Sequence, residues 1–227
     1  MDNKTYNLRK RKLPIEKKTP VRRANWYYTP YLTDVNGREL SLRVPFVDPK
    51  WIGLLNTTLA SDKSTVHTLW IDGETFVYHR HLATFLRKLP KNKSIRTLKF
   101  KFAEMTDTGK DIKKALASTT ITTWMFYRCF LSLSDWKYIN EGLIQNNTIT
   151  DFSISDDWRA EEQMRFVFSW IKRLPVFDFE FSFETMEEQQ KIGKMFQRQV
   201  AKMKRKDVFF FFPQTLRCIR LQNKKLD

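Results

Sequence analysis

A chain of 227 residues with a net charge of +16 can form one large domain or two small ones. Six glycines argue against glycine-rich phosphate-binding loops, and two cysteines are too few for a disulfide framework and favour a reducing compartment. No apolar run reaches the ~18–20 residues of a transmembrane helix, and the basic N-terminus lacks the apolar stretch of a secretory signal. We therefore expect no membrane partner.

The positive charge is concentrated at the two ends of the chain. Residues 1–25 contain nine Lys or Arg and two acidic residues, a net charge of +7. Residues 191–227 contain eleven Lys or Arg and two acidic residues, a net charge of +9, and the residues between are neutral overall. Ends of this kind are usually solvated tails or targeting tracts.

Residues 1–24 are predicted to be a disordered basic tail, because they contain few apolar residues. Two basic clusters in this tail resemble nuclear import signals: Arg9, Lys10, Arg11 and Lys12, then Lys17, Lys18, Arg22 and Arg23. We expect a nuclear location with the cytoplasm as the alternative. A mitochondrial location is less favoured, because the tail contains acidic residues and no clear amphipathic helix.

An aromatic segment follows the tail. Residues 25–32 read NWYYTPYL, with three tyrosines and one tryptophan in eight residues. A cluster of aromatic side chains this dense is unfavourable in water. We predict that residues 25–36 form an N-terminal cap on the domain that follows.

One spacing of apolar residues recurs through the body of the chain. An apolar residue is followed by apolar residues three and five positions later at Val66, Ile95, Ile121, Ile149 and Val176. The intervals between these starting positions are 29, 26, 28 and 27 residues. The alternation predicts a short strand with one buried face, and a regular period of this length is typical of solenoid proteins.

A helical pattern follows each of these strands. Apolar residues with i, i+3, i+4 and i+7 spacing occur at 79–90, 109–118, 134–147 and 160–175. A further helix is predicted at 187–207, where the charge changes from acidic to basic along the segment, as the helix dipole favours. Ser134 is the predicted N-cap of the third helix, and Pro90 and Pro175 mark helix ends.

Two further strands complete the predicted series. An earlier unit has a strand with Leu40, Leu42 and Val44 and a helix at 48–61, and a closing strand is predicted at 207–213. The last residues, 216–227, are predicted to be a C-terminal tail.

The alternation of strand and helix resembles the long leucine-rich repeats of the ribonuclease-inhibitor type. The resemblance covers residues 37–215 and rests on spacing and period. The Asn or Cys that usually follows the strand is mostly missing, since only Cys129 fits it, and aromatic residues replace many leucines. The resemblance implies a divergent α/β solenoid of about five or six repeats, with parallel strands on the concave face and helices on the convex face. An ordinary α/β domain with parallel strands is the alternative.

The resemblance also implies that the concave face binds a protein partner. Residues between the buried strand positions should lie on this face: Arg43, Trp70, Asp72, Lys99, Lys101, Met125, Tyr127, Ser153, Asp178 and Glu180. Aromatic residues and methionine are enriched in protein interfaces. This row changes along the chain from basic and aromatic to acidic.

No pattern in the sequence indicates catalysis. Three histidines lack a neighbouring cluster of ligands: His67, His79 and His81. Cys129 is interpreted as a buried structural thiol, and the acidic pairs at 156–157 and 161–162 as favourable charges near a helix start. P-loop and G-x-S-x-G motifs are missing. We expect a non-enzyme without a metal or other cofactor.

Residues Leu13–Glu16 read LPIE, which resembles the start of an F-box. The leucine-rich helices of an F-box do not follow, so no intact F-box is expected, although the repeats resemble the substrate-binding half of F-box receptors. The predicted function is a protein-interaction adaptor or scaffold. The alternatives are RNA or other nucleic-acid binding through the basic ends, a substrate-receptor-like subunit of a ubiquitin ligase, and a structural subunit of a larger complex.

Overall fold

The computed structural model describes residues 66–72, 79–118, 120–212 and 217–223, together with the backbone of three short strands at 5–6, 31–35 and 39–44. The described residues form an α/β protein with a mostly parallel sheet and five helices. Several predictions lie outside these residues: the basic clusters from Arg9 to Arg23, the LPIE segment and the helix at 48–61.

The chain alternates between strands and helices from residue 66 to residue 201. The strands are β1 (Thr5–Tyr6), β2 (Tyr31–Val35), β3 (Glu39–Val44), β4 (Val66–Asp72), β5 (Thr97–Lys101), β6 (Thr123–Tyr127), β7 (Asp151–Asp157), β8 (Val176–Ser182), β9 (Phe209–Phe211) and β10 (Cys218–Gln222). The helices are α1 (His79–Lys88), α2 (Gly109–Ser118), α3 (Leu133–Gln145), α4 (Glu162–Arg173) and α5 (Met186–Ala201). Each strand from β4 to β8 is followed by a helix, as the periodicity predicts.

The strands pair mostly in chain order. The sheet order is β1-β2-β3-β4-β5-β6-β7-β8-β10-β9. Pairing is parallel from β3 to β8 and antiparallel at both ends of the sheet. The predicted strands at Leu40–Val44 and at the five apolar sets are therefore confirmed. The closing strand β9 is also present, but β10 lies between it and β8.

One face of the sheet and the helices form an aromatic-rich core. Burial alternates residue by residue along β5, β6 and β8, so each of these strands has one buried side. Trp136 of α3 and Trp170 of α4 stack with their centroids 5.2 Å apart, and Trp170 meets Phe152 of β7 edge-on at 5.3 Å. Such ring pairs contribute about 0.5–1.5 kcal/mol beyond simple burial. The helices thus cover one side of the sheet and leave the other side partly exposed.

The register at β8 differs from the predicted spacing. The apolar pattern aligns Phe152 with Phe179, whereas the structure pairs Phe152 with Phe177 and Ile154 with Phe179. Only Leu174 and Pro175 separate α4 from β8, while residues 146–150 separate α3 from β7. The shorter connection shifts the strand by two residues. A two-residue shift preserves which side chains face the core.

The N-cap of α3 is Ser132, so the prediction of Ser134 is wrong. The Ser132 hydroxyl accepts a hydrogen bond from the Asp135 amide at 3.2 Å, and Asp135 accepts one from the Ser132 amide at 2.8 Å. This arrangement is a capping box. The second oxygen of Asp135 accepts the Gly109 amide of α2 at 2.8 Å. A Cβ on Gly109 would lie 2.7 Å from that carboxylate, so glycine is required by this contact.

The parts of the chain predicted as tails contribute strands to the sheet. Thr5–Tyr6, within residues 1–24, pair with β2, and Cys218–Gln222, within residues 216–227, pair with β8 and β9. Among the described helices, none is both long enough and apolar enough to cross a membrane.

Candidate interaction site

The partly exposed side of the sheet carries the predicted binding residues in two registered rows. We call it the open face. The first row runs across β3 to β8 through Arg43, Trp70, Lys99, Met125, Ser153 and Asp178. The second row runs across β4 to β8 through Asp72, Lys101, Tyr127, Ser155 and Glu180. For Arg43 and Asp72 the structure describes only the backbone position.

Cationic and aromatic side chains lie together on β4, β5 and β6. Lys99 lies over the Trp70 ring at 5.5 Å, and Lys101 lies over Tyr127 at 5.9 Å. Distances of this size allow a cation–π attraction of about 0.5–1 kcal/mol at an exposed site. Tyr127 is 42% exposed, so its ring is accessible.

Two residues that sequence reasoning missed extend this group. Phe102 lies beneath Lys101 at 4.7 Å and meets Tyr127 edge-on at 5.8 Å, while Arg128 lies 5.7 Å from the Tyr127 ring. The basic-aromatic cluster comprises Trp70, Lys99, Lys101, Phe102, Tyr127 and Arg128.

The backbone just after β5 and β6 explains why Phe102 and Arg128 join the cluster. Their φ angles are +52° and +47°, in the left-handed region that non-glycine residues rarely occupy. Each amide is nevertheless paired, Phe102 with the Tyr127 carbonyl at 2.9 Å and Arg128 with the Ser155 carbonyl at 2.7 Å. The turn at Phe102 brings its ring beside Lys101 and Tyr127. Because Phe102 and Arg128 are neither glycine nor asparagine, the sequence does not indicate that their backbone is left-handed.

The acidic end of the open face is partly neutralised within the chain. Arg220 of β10 donates two hydrogen bonds to Asp178 at 2.8 and 2.5 Å and stands opposite Glu180 in the register. The hydrogen bond to Asp178 raises the pKa of Arg220. Sequence reasoning missed Arg220, although Ile219 and Leu221 on either side mark it as outward-facing. Part of the predicted negative charge on β8 is therefore compensated by Arg220. The basic-aromatic residues on and just after β4 to β6 carry a net positive charge.

Other parts of the open face contribute less surface or a different chemistry. Ser153 is only 8% exposed, although it lies in the predicted row. At the far edge of the sheet, Phe209 and Phe211 are exposed, and by their pairing with β10 they lie on the same side as Arg220. The open face therefore has aromatic groups at both ends.

A cavity of about 420 Å³ lies at the carboxyl ends of the strands, bordered by Cys129 and Asp156. Burial raises the pKa of the Cys129 thiol to about 12, so it is not a reactive nucleophile. Asp156 lies on the core side of β7, where it accepts a hydrogen bond from the Trp136 indole at 3.1 Å. The prediction that Asp156 acts as a favourable charge near the start of α4 is therefore wrong. Glu162 does lie in the first turn of that helix.

Of the three histidines, the structure describes the side chain of His67 alone. The Nδ1 atom of His67 lies 3.2 Å from the Ser94 carbonyl oxygen, and His79 and His81 lie in the first turn of α1. Within the described part of the chain, no three His, Cys, Asp or Glu residues are grouped so that they could hold a metal ion.

No protein-family model matches the chain, and no curated protein matches it in sequence.

Proposed function

We propose that the chain is a divergent leucine-rich-repeat protein of the ribonuclease-inhibitor type that acts as a non-enzymatic interaction adaptor or scaffold. Six parallel strands in chain order and a helix after each of the last five support a repeat architecture. The open face then corresponds to the concave, partner-binding side of such a solenoid. The basic-aromatic cluster on that face is the observation that carries the proposal.

Hydrogen bonds between successive helices also support a repeat. Asn146 donates its side-chain amide to the Leu116 carbonyl of α2, and Arg173 donates to the Ile144 carbonyl of α3 at 3.0 Å. Arg205, after α5, donates to the Leu174 carbonyl that follows α4 at 2.7 Å. Each bond satisfies a carbonyl near the end of the preceding helix, where partners within the helix run out. A similar role at each step is what stacked units require.

The cluster defines the chemistry of the partner. Lys99, Lys101 and Arg128 form no ion pair with any described acidic side chain. A protein segment with carboxylates and apolar side chains would pair with the cations and pack on Tyr127 and Phe102. We therefore infer an acidic protein segment as the ligand of the open face.

Partner capture from native lysate tests this proposal. The full chain would be compared with a variant carrying Lys99→Glu, Lys101→Glu and Tyr127→Ala, with nuclease present at moderate salt. Capture should fall at least about tenfold in the variant, since hot-spot residues dominate binding energy. A Lys93→Glu, Lys110→Glu variant changes two exposed lysines away from the open face and should capture normally. Equal capture by all three proteins would refute the assignment of the surface.

Single-stranded nucleic acid is a second candidate ligand, and the same cluster favours it. Bases stack on aromatic rings while lysines and arginines contact phosphates. Fluorescence anisotropy with a single-stranded RNA oligonucleotide distinguishes this function. Binding that the cluster variant loses, and that persists without residues 1–24, would favour RNA on the open face. Binding that depends only on residues 1–24 and falls steeply with salt would assign it to the basic tail.

A further inference from the structure

A groove runs between α4 and α5 on the helical side of the protein. These helices approach each other less closely than α2 and α3 do, and the space between them is a cavity of about 970 Å³. Its floor consists of Met164, Phe168, Met195 and Met203, which are buried or half-buried. We call it the methionine groove.

Interactions link α4 and α5 at both ends of the groove. At the helix starts, Lys191 of α5 forms an ion pair with Glu161 at 2.9 Å. At the helix ends, Arg205 donates to the Ile171 carbonyl at 2.6 Å as well as to Leu174. Phe168 of the floor packs against the buried Phe196 of α5, with the two ring centroids 5.3 Å apart. The contacts described here between the two helices therefore lie at the ends and base of the groove.

The rim of the groove is basic. Arg165, Lys172, Lys202 and Lys204 line it, are exposed, and form no ion pair with another described residue. The acidic residues Glu161 and Glu162 lie at one end, and Lys191 already neutralises the first of them. Most of the rim therefore presents uncompensated positive charge around an apolar floor.

We propose that the methionine groove binds the apolar face of an acidic amphipathic helix from a partner protein. Methionine side chains adapt to irregular apolar surfaces, and a groove between helices is a recurring receptor for an amphipathic helix. Carboxylates along the flanks of such a helix would meet the lysines of the rim. Residues 1–25 of this chain, with a net charge of +7, would be repelled by the same rim.

This surface is distinct from the open face, on the opposite side of the sheet. The inference therefore stands or falls independently of the proposed ligand of the open face.

Fluorescence anisotropy with a defined probe tests the proposal on the full chain. The probe is a labelled peptide of about four helical turns, roughly 15 residues, with leucines at i, i+3, i+4 and i+7 and glutamates on the flanks. A matched peptide carries lysine in place of each glutamate. The acidic peptide should bind at least about tenfold more tightly, because the basic rim attracts glutamate side chains and repels lysine side chains.

Two variants locate the binding site of the probe. Met195→Glu with Met203→Glu places charge on the floor and should lower the affinity for the acidic peptide at least about tenfold. Lys172→Glu with Lys204→Glu leaves the floor intact and should make the lysine peptide the tighter ligand. The Lys93→Glu, Lys110→Glu variant has the same change in net charge as the rim variant and should bind like the unmodified chain. Circular dichroism confirms that each variant is folded.

Three results would overturn the proposal. The first is equal affinity for the acidic and lysine peptides, and the second is an unchanged preference in the rim variant. The third is a dimer in sedimentation that the floor variant dissociates, because the occupant would then be a second copy of the chain.

Discussion

Asp156 makes the stability of the protein depend on pH. Burial raises its pKa from 3.8 to about 7, and this effect outweighs its hydrogen bonds from the Asp157 amide and Trp136 and the attraction of Arg159. The folded protein therefore holds this proton to a higher pH than the unfolded chain does. Stability from this group is complete below about pH 4, declines as pH rises towards 7, and is lost above that, by on the order of 4 kcal/mol.

Asp156→Asn removes the titration while retaining an oxygen that can accept the Trp136 hydrogen bond. In urea unfolding, the unmodified chain should lose stability between about pH 5 and pH 8, and the Asp156→Asn variant should lose about 2 kcal/mol less over that interval. Asp157→Asn removes an exposed carboxylate whose charge makes only a small contribution to raising the pKa of Asp156, so most of the original pH dependence should remain. Identical slopes for the unmodified chain and Asp156→Asn would show that Asp156 titrates normally.

At the scale of one element, the capping box of α3 gives Ser132 and Ser134 different roles, although the two serines look equivalent in the sequence. Ser132→Ala removes the acceptor for the Asp135 amide and should lower the free energy of unfolding by about 1 kcal/mol. Ser134→Ala removes an exposed hydroxyl and should change it by a few tenths of a kcal/mol at most. Urea titration of both variants measures the difference. Equal losses would contradict the assignment of Ser132 as the cap.

The elements themselves were predictable because strands and helices impose different periods. Leu98 and Phe100 alternate with lysines on a strand of period two, and helical spacing marks the segments between strands. Details that depend on geometry were not predictable. Phe177, Phe179 and Phe181 form one alternating apolar run, so its pattern fits two registers, and the short connection at Pro175 decides between them.

The same limit applies to the candidate site. Trp70, Lys99, Met125 and Tyr127 were predicted, because alternation along a strand is enough to place them on one face. The position of Arg220 depends on a strand that returns to pair with β8, and Arg220 lies 42 positions after its partner Asp178 in the chain. Local spacing contains no information about such a pairing.

At the scale of the whole molecule, the antiparallel strands protect the ends of a parallel sheet. A parallel strand at an open edge presents unpaired amides and carbonyls to other chains. Here β2 pairs with β3 at one end, and β10 pairs with β8 at the other. The second pairing also adds Ile219 and Leu221, both fully buried, to the core beside Phe179 and Phe181. The C-terminal segment is therefore part of the fold.

Removal of residues 217–227 should consequently destabilise the protein and cause it to associate. The truncation exposes the edge of β8 and removes two buried aliphatic side chains, each contributing roughly 1.5–3 kcal/mol. It also leaves Asp178 without Arg220 and β9 without its strand partner. Light scattering after size-exclusion chromatography should show aggregates, and thermal unfolding should begin at a lower temperature. Removal of 224–227 alone retains β10 and should leave both measurements unchanged, whereas a monomeric, equally stable 1–216 chain would show that β10 is dispensable for protecting the edge.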